Sequence, residues 1–285
     1  QGKIKWDDPV TKYLPDFQMY DPWVTKEITI RDLTSHKSGL ETFSGDFLWL
    51  NSTYDRKEVI NRARYLKPTS SFRSMYGYQN IMFIAAAEII KAVTDTSWSN
   101  YIKTHILENL EMKHTDTSYE IFNNDDNTAK GHYKKENVMK VFADTQIDNA
   151  HGALGINSSA IEMAQWIRLQ LGKGKYNGKR IFSERQSSEM WSNQTPIGIM
   201  NYGLGWYIRY WNGKRMLNHG GGMPGMISDV TLVPEENFGF VILSNYETEM
   251  VGAVRNYISD LFTNAEPKDW EKLMFDGFAR RKEAQ

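Results

Sequence analysis

The chain has 285 residues, which is enough to bury one large core or two closely packed subdomains. Apolar residues make up 40% and charged residues 24%, and the formal net charge of −1 gives no electrostatic reason to expect nucleic acid as a partner. The absence of cysteine excludes disulfides, thiolate metal ligands and cysteine nucleophiles. No apolar run approaches the roughly 20 residues that span a bilayer, so no membrane span is expected.

The N-terminal residues, Gln1 to Trp6, contain neither an apolar signal core nor an initiating methionine. They are typical of the middle of a domain, so we expect the natural start to lie elsewhere. No internal repeat or low-complexity linker divides the chain, which we treat as one structural unit. The composition leaves the compartment and the oligomeric state open.

Turn signals alternate with short apolar stretches over the first forty residues, and the middle of the chain is predicted to be mostly helical. Thr29 is expected to cap a short helix through Ile30 and Leu33 that ends at Gly39. A longer helix is predicted after Tyr78-Gln79-Asn80, because apolar residues recur there at helical spacing. These residues are Ile81, Ile84, Ala85, Ile89 and Ala92.

Two further helices are predicted before residue 175. One runs from Ser97 to about Leu110. The other begins at Ser159, which forms a capping-box pattern with Glu162, and ends at Gly172.

After about residue 200 the period of the apolar pattern changes to two. A strand over 204–210 is followed by Asn212-Gly213, a strong signal for a two-residue hairpin, and by a return strand over 214–218. A second hairpin is predicted to pair 227–233 with 238–243. These strands and the helices before them predict an α+β or mixed fold rather than a repeating βαβ fold.

A closing helix is predicted after the second hairpin. Its apolar residues Val251, Val254, Ile258 and Leu261 are expected to share one face. The strongly charged residues 266–285 are expected to form an exposed helix or a linker.

No metal or cofactor site is predicted. The six histidines include no His-x-x-x-His pair and no His-Glu-x-x-His motif. Neither glycine cluster, 172–174 nor 220–222, matches a nucleotide-binding fingerprint, and the first is better explained as a helix C-cap.

Tyr78 and Asn80 form one candidate site. A tyrosine can act as a general base if a neighbouring cation lowers its pKa from about 10, and an asparagine two residues later can bind a substrate amide. The alternative is a purely structural role, because Tyr210-Trp211-Asn212 shows the same pattern inside a predicted hairpin turn.

His219 and the following Gly220, Gly221 and Gly222 form a second candidate site. Three glycines weaken a strand, so the triplet indicates a backbone that a ligand approaches closely. A backbone N–H there can serve an oxyanion hole, and His219 can donate to a substrate carboxylate or carbonyl. The alternative is a flexible turn before Met223-Pro224-Gly225.

Taken together, several short segments resemble the serine hydrolase family of class C β-lactamases, penicillin-binding-protein-like esterases and D-amino acid peptidases. The resemblance extends to about residue 262. The segments that carry it, in chain order, are Trp6-Asp7-Asp8-Pro9-Val10, Tyr13-Leu14-Pro15, Ile28 to Leu33, Ser35-His36-Lys37-Ser38-Gly39-Leu40, Tyr78-Gln79-Asn80, Gly152-Ala153-Leu154, Tyr202 to Trp206 and His219-Gly220-Gly221.

This resemblance implies a β-lactamase/transpeptidase-like fold over residues 1–265, with an antiparallel sheet flanked by helices beside an all-helical subdomain. The helical subdomain is expected over about 36–195 and the sheet subdomain over about 1–35 and 196–265. The N-terminal part of the family fold is expected to be missing.

The family works by acyl transfer through a serine ester, with the nucleophile in a Ser-x-x-Lys motif upstream of the Trp-Asp-Asp-Pro segment. No serine of this chain has a lysine three residues later, and the nearest miss is Ser70-Ser71-Phe72-Arg73. The resemblance therefore implies that the nucleophile is missing and that this chain alone is inactive. It also implies a periplasmic or extracellular protein.

By resemblance, Tyr78 is the general base, Asn80 positions the substrate and Gly222 supplies one oxyanion-hole N–H. His219 replaces the lysine of a Lys-Thr-Gly triplet. A neutral imidazole anchors a β-lactam carboxylate less well than an ammonium group does, so a small ester, amide or peptide is the expected substrate. The alternatives are a non-catalytic binding protein on the same scaffold and a metal-dependent hydrolase.

Overall fold

The structure is a computed structural model that describes residues 1–143 and 145–283. The chain forms two compact units. The first combines Gln1–Asp125, Thr145–Ser158 and Glu189–Gly205, and the second combines Asp126–Asp144, Ser159–Ser188 and Trp206–Gln285. The subdomain boundaries expected from the sequence stay a prediction.

Helices and strands are both well represented. The helices of the described residues are α1 (Pro22–Glu27), α2 (Ile30–Thr34), α3 (Arg56–Asn61), α4 (Asn80–Thr94), α5 (Trp98–Ile102), α6 (Tyr119–Asn124), α7 (Ala160–Leu171), α8 (Glu184–Met190), α9 (Met250–Thr263) and α10 (Trp270–Glu283). The strands are β1 (His132–Lys135), β2 (Val138–Val141), β3 (Lys175–Tyr176), β4 (Lys179–Arg180), β5 (Thr195–Ile197), β6 (Met200–Tyr202), β7 (Tyr207–Trp211), β8 (Lys214–Met223), β9 (Met226–Val233) and β10 (Phe238–Ser244). Across the described residues, no helix combines the length and the hydropathy needed to cross a bilayer.

The core of the first unit is built around α2 and α4. The Thr29 hydroxyl accepts from the Asp32 backbone N–H and the Asp32 carboxylate accepts from the Thr29 N–H, which is a complete capping box. Helix α4 begins at Asn80 and buries its apolar face in this core. Both predicted helices are present, but α2 ends at Thr34 and not at Gly39.

The predicted helix from Ser97 to Leu110 is helical throughout but is not one regular α-helix. Ser97 caps α5, which passes into a π-helical segment over Lys103–Leu107 and a 3₁₀ turn over Glu108–Leu110. The Asn109 side chain donates to the carbonyls of Thr104 and His105. These side-chain bonds to carbonyls compete with the regular helical pattern, which sequence periodicity does not reveal.

The second unit contains an antiparallel meander in which β10, β9, β8 and β7 are neighbours in that order. Asn212 and Gly213 both have positive φ, 45° and 76°, as the predicted hairpin turn requires. The second predicted hairpin is present as β9 and β10.

Strand β8 is longer than the predicted return strand, because it continues through the glycine triplet to Met223. Gly220 pairs with Asp229, Gly221 with Ser228 and Gly222 with Ile227. The triplet therefore lies inside a paired strand and does not form a flexible turn. The turn comes afterwards, at Pro224 and Gly225.

Helix α9 forms where the sequence predicts it, but its buried face is not the predicted apolar stripe. Val251 is buried, whereas Val254 is 37% and Leu261 74% exposed. The buried side chains include Asp260, whose carboxylate accepts from the indole N–H groups of Trp211 and Trp270. A polar side chain whose hydrogen bonds are satisfied can be buried, and apolar periodicity cannot detect it.

Candidate active site

Tyr78 and Asn80 lie together at the start of α4 in the first unit. Gln79, in the extended conformation, joins them and is the residue before the first helical turn. Tyr78 is half-buried, and Asn80 is 7% exposed. The extended link therefore places a phenol and a carboxamide side by side at one end of the helix.

His36 contacts the Tyr78-Gln79-Asn80 segment through a hydrogen bond and through ring packing. It is fully buried and has a left-handed backbone with φ of 59°. The Gln79 N–H donates to His36 Nδ1 at 3.0 Å, which assigns the imidazole proton to Nε2, 3.2 Å from the Tyr202 hydroxyl. The His36 ring also packs against the Tyr78 ring, with 4.4 Å between centroids. A neutral imidazole thus fixes both the backbone and the ring of the candidate base.

The loop over residues 41–46 also forms hydrogen bonds with the Tyr78-Gln79-Asn80 segment. The Phe43 N–H donates to the Tyr78 carbonyl at 2.8 Å, and the Tyr78 N–H donates to the Thr42 hydroxyl at 3.2 Å. The Gln79 carboxamide donates to the Glu41 carbonyl. These bonds fix the loop against Tyr78 without using its phenol oxygen.

Gly77 makes this close approach possible. Its N–H donates to the His36 carbonyl at 3.0 Å. A Cβ atom at position 77 would lie 2.0 Å from the Leu40 carbonyl oxygen, so no other residue fits without movement of the backbone.

Asp46 orients the Asn80 carboxamide. Asn80 Nδ2 donates to one oxygen of the Asp46 carboxylate at 2.9 Å, and Trp49 Nε1 donates to the other at 3.1 Å. Burial raises the pKa of Asp46, and these two hydrogen bonds oppose the shift. The Asn80 amide nitrogen is therefore held towards Asp46, which fixes the rotamer of its carbonyl oxygen.

His219 lies on β8 in the second unit. It is half-buried, and its Nδ1 donates to the Gly220 carbonyl at 2.7 Å, which leaves Nε2 with the lone pair. Burial lowers the pKa of His219 below its ordinary value, while the Gly220 carbonyl and Asp229 oppose the shift. The imidazole is therefore neutral near pH 7.

Gly220, Gly221 and Gly222 are all exposed and present a strip of bare backbone along β8. An added Cβ would lie 2.6 Å from the Ser228 hydroxyl at position 221 and 3.5 Å from the Ile227 side chain at position 222. A side chain therefore fits at position 222, whereas at position 221 the Ser228 hydroxyl would have to move.

The structure thus joins the six predicted site residues in two groups. Tyr78 and Asn80 are neighbours in the first unit, and His219 and the three glycines are neighbours in the second. Sequence reasoning gave no role to His36 or Asp46. His36 lies in the Ser35-to-Leu40 segment that carried part of the family resemblance, whereas no pattern singled out Asp46. Over the two described ranges, no group of three or more His, Asp or Glu residues could hold a metal ion.

Solved structures define the class to which this fold belongs. The octameric penicillin-binding protein homologue from Pyrococcus abyssi matches 94% of this chain and 62% of its own, with a TM-score of 0.82 at 19% sequence identity. A class C beta-lactamase from Rhodobacter sphaeroides matches 90% of this chain and 78% of its own, with a TM-score of 0.70 at 20% identity. The chain therefore has the mixed fold of β-lactamases and penicillin-binding-protein homologues, as predicted.

Sequence comparison then defines the family. The Beta-lactamase family model matches residues 1–264, and the chain belongs to the Beta-lactamase family. The unguisins hydrolase ungD' of Aspergillus campestris is 25% identical over 303 residues, which cover 99% of this chain and 56% of that protein. The chain spans about half the length of the curated relatives it matches. The predicted family resemblance is confirmed.

Proposed function

We propose that the protein is a serine hydrolase that cleaves a small ester, amide or peptide through an acyl-enzyme. The observation that carries the proposal is the fixed pair at the start of α4: Tyr78 is held by His36 and by the 41–46 loop, and Asn80 is held by Asp46. The hydrolase activity of a family relative supports it. Because these 285 residues contain no Ser-x-x-Lys motif, the proposal assigns the nucleophilic serine to another part of the protein.

In the proposed reaction, the serine oxygen attacks the substrate carbonyl carbon and the Tyr78 phenolate takes the serine proton. The Tyr78 phenol then returns that proton to the leaving alcohol or amine as the scissile bond breaks. Water attacks the resulting ester by the same route in reverse order. Asn80 positions the substrate, and the Gly222 N–H stabilises the negative charge on the carbonyl oxygen.

His219 supports esters, amides and peptides over β-lactams as substrates. Its pKa is lowered by burial, so it carries no positive charge near pH 7 to attract the carboxylate of a β-lactam. An uncharged ester or amide group needs no such charged partner. By the same family resemblance, we propose a periplasmic or extracellular location.

The test is made on the full-length natural protein. We expect a fluorophosphonate probe to label one serine, and we expect Tyr78→Phe to lower kcat for an ester substrate at least about 100-fold, because the phenol oxygen that transfers the proton is lost. Tyr65→Phe, which removes the same oxygen from a side chain that is 72% exposed, is the matched control and should keep its turnover. Normal turnover in Tyr78→Phe would exclude Tyr78 as the base.

A second candidate is a non-catalytic binding protein on the same scaffold, favoured by the lack of a Ser-x-x-Lys motif in these residues. The intact mass of the natural gene product and its reaction with the probe separate the two candidates. A natural product without a Ser-x-x-Lys motif that does not react with the probe would establish the binding protein.

A further inference from the structure

Phe43 is unusual in two ways. Its side chain is 58% exposed, although phenylalanine is normally buried. Its backbone has φ of 64°, in the left-handed region that side chains other than glycine and asparagine rarely adopt. Both features cost free energy, and a residue that combines them beside a candidate catalytic group suggests a role in function.

The neighbouring loop holds Phe43 in this conformation. Its N–H donates to the Tyr78 carbonyl at 2.8 Å, and its own carbonyl accepts from the Asp46 N–H at 3.1 Å. The Asp46 carboxylate is in turn held by Asn80 and Trp49. The bonds that orient Tyr78 and Asn80 therefore also fix the backbone from which the Phe43 side chain projects.

The Phe43 ring lies against the Tyr78 ring. The centroids are 5.5 Å apart and the planes meet at 66°, so the two rings pack edge to face. Tyr78 is only half-buried, and Phe43 is 58% exposed. A substrate group next to the phenol of Tyr78 would therefore meet an apolar wall.

Of the two carboxylates on this loop, Glu41 is exposed and Asp46 is already hydrogen-bonded. The Asp46 carboxylate uses both oxygens on Asn80 and Trp49, and its pKa is raised by burial. It is therefore not arranged to attract a cationic substituent. The side chain of this loop whose ring contacts the Tyr78 ring is Phe43.

We propose that Phe43 selects substrates that carry an apolar or aromatic group next to the scissile bond. The inference rests on the proposed function, since it names the substrate class of the same site. Contact with an aromatic side chain removes apolar surface of the substrate from water, and such contacts change specificity about 10-fold or more. Both the acyl side and the leaving side of the bond are compatible with this chemistry.

The experiment compares specificity in the full-length protein. In the first arm, kcat/KM is measured for p-nitrophenyl acetate and p-nitrophenyl octanoate, which differ only in the acyl group. In the second arm, it is measured for methyl acetate and benzyl acetate, which differ only in the alcohol. We expect Phe43→Ala to reduce the preference for the apolar substrate about 10-fold in one arm.

Two further variants make the result specific. Phe47→Ala removes another exposed phenylalanine of the same region, 88% exposed and without a ring contact to Tyr78 in the described part of the chain, and should leave both ratios unchanged. Phe43→Asn removes the ring but suits the left-handed backbone, so its ratios should change as in Phe43→Ala even if alanine disturbs the loop.

A changed ratio in either arm for both Phe43 variants supports the inference and identifies the side of the bond. Unchanged ratios in both arms, with Tyr78→Phe still inactive, would overturn the inference and leave the proposed function standing. Normal turnover in Tyr78→Phe would instead overturn the proposed function.

Discussion

His36 and Asp46 show how the candidate site depends on contacts between residues far apart in the sequence. The pattern Tyr78-Gln79-Asn80 indicated two candidate site residues, because two functional types stood at the start of a predicted helix. The partners that orient this segment are His36, 43 positions before Gln79, and Asp46, 34 positions before Asn80. Since neither contact follows from local spacing, single-sequence reasoning had no means of finding them.

His151 is a second buried histidine of the first unit, and it should make folding sensitive to acid. Its Nδ1 lies 3.1 Å from the Arg56 guanidinium and 3.0 Å from the Ser99 hydroxyl, and its Nε2 lies 3.5 Å from the Asp148 carboxylate. Burial lowers the pKa of His151 below its ordinary 6.5 and Arg56 adds to the shift, while Asp148 opposes it.

Because the folded-state pKa is lower than the unfolded-state pKa, the unfolded chain binds more protons between the two values. The free energy of unfolding should therefore fall as the pH drops below about 6.5, by at most about 1.4 kcal/mol per pH unit for one group. We expect His151→Gln to lose part of this dependence in urea unfolding at pH 7 and pH 5. The exposed variant His105→Gln is the control, and equal slopes in all three proteins would contradict the prediction.

At the scale of elements, the sequence predicts a helix or turn correctly where residues only a few positions apart determine its geometry. The Thr29 cap, the Asn212-Gly213 turn and the apolar face of α4 are all determined within a few residues, and all are present. Helix α9 is the counterexample. Its buried face is set by hydrogen bonds of Asp260 to tryptophans of other elements, which periodicity does not contain.

Strand β7 carries a charge that should reduce stability. Nε and Nη2 of Arg209 are buried without a hydrogen-bond partner among residues 1–143 and 145–283. Burial and the nearby Arg255 lower the pKa of Arg209 to about 10, against the effect of Asp229. Two buried guanidinium nitrogens that make no hydrogen bond are costly, because they have lost their hydration without replacement.

We therefore expect Arg209→Met to raise the melting temperature or leave it unchanged. Arg255→Met should behave in the opposite way, because Arg255 pairs with the buried Asp229 carboxylate at 3.0 Å and its loss leaves that charge unpaired. The expected cost is about 3 kcal/mol. Calorimetry of the two variants provides the measurement, and a larger loss for Arg209→Met than for Arg255→Met would refute the argument.

At the scale of the molecule, the two compact units assemble segments that are widely separated in the chain. Residues 145–158 and 189–205 belong with the first 125 residues, whereas 126–144 and 159–188 belong with the C-terminal meander. The family resemblance indicated the correct fold, because its segments occur in the family order. The assignment of each segment to a unit depends on long-range packing, which one sequence does not show.

The edge strand of the meander, β10, should affect the self-association of the 285-residue chain. Strand β10 pairs with β9 and is the last strand of the order in the described residues, and Leu243 on it is 43% exposed. A strand edge with unpaired backbone groups favours association with another chain. We expect this chain to associate with rising concentration and Leu243→Lys to reduce the association.

Sedimentation velocity over a concentration series measures the effect. Ile199→Lys introduces the same charge at a fully exposed isoleucine in the turn between β5 and β6, and it should not change the association. Association that responds equally to both variants would show that general charge, rather than the β10 edge, controls it.

The glycine triplet of β8 allows two reasons for a glycine to be tested separately. One is the conformational freedom of its backbone, and the other is the absence of a side chain. Gly220, Gly221 and Gly222 all have ordinary extended backbones rather than the left-handed conformation that other side chains avoid, and the contacts an alanine would make at 221 and 222 are with side chains. The strand should therefore fold with alanine at either position. A protein that keeps its melting temperature but loses turnover after such a change would show that these glycines are retained to leave room for a bound molecule, and not to let the chain turn.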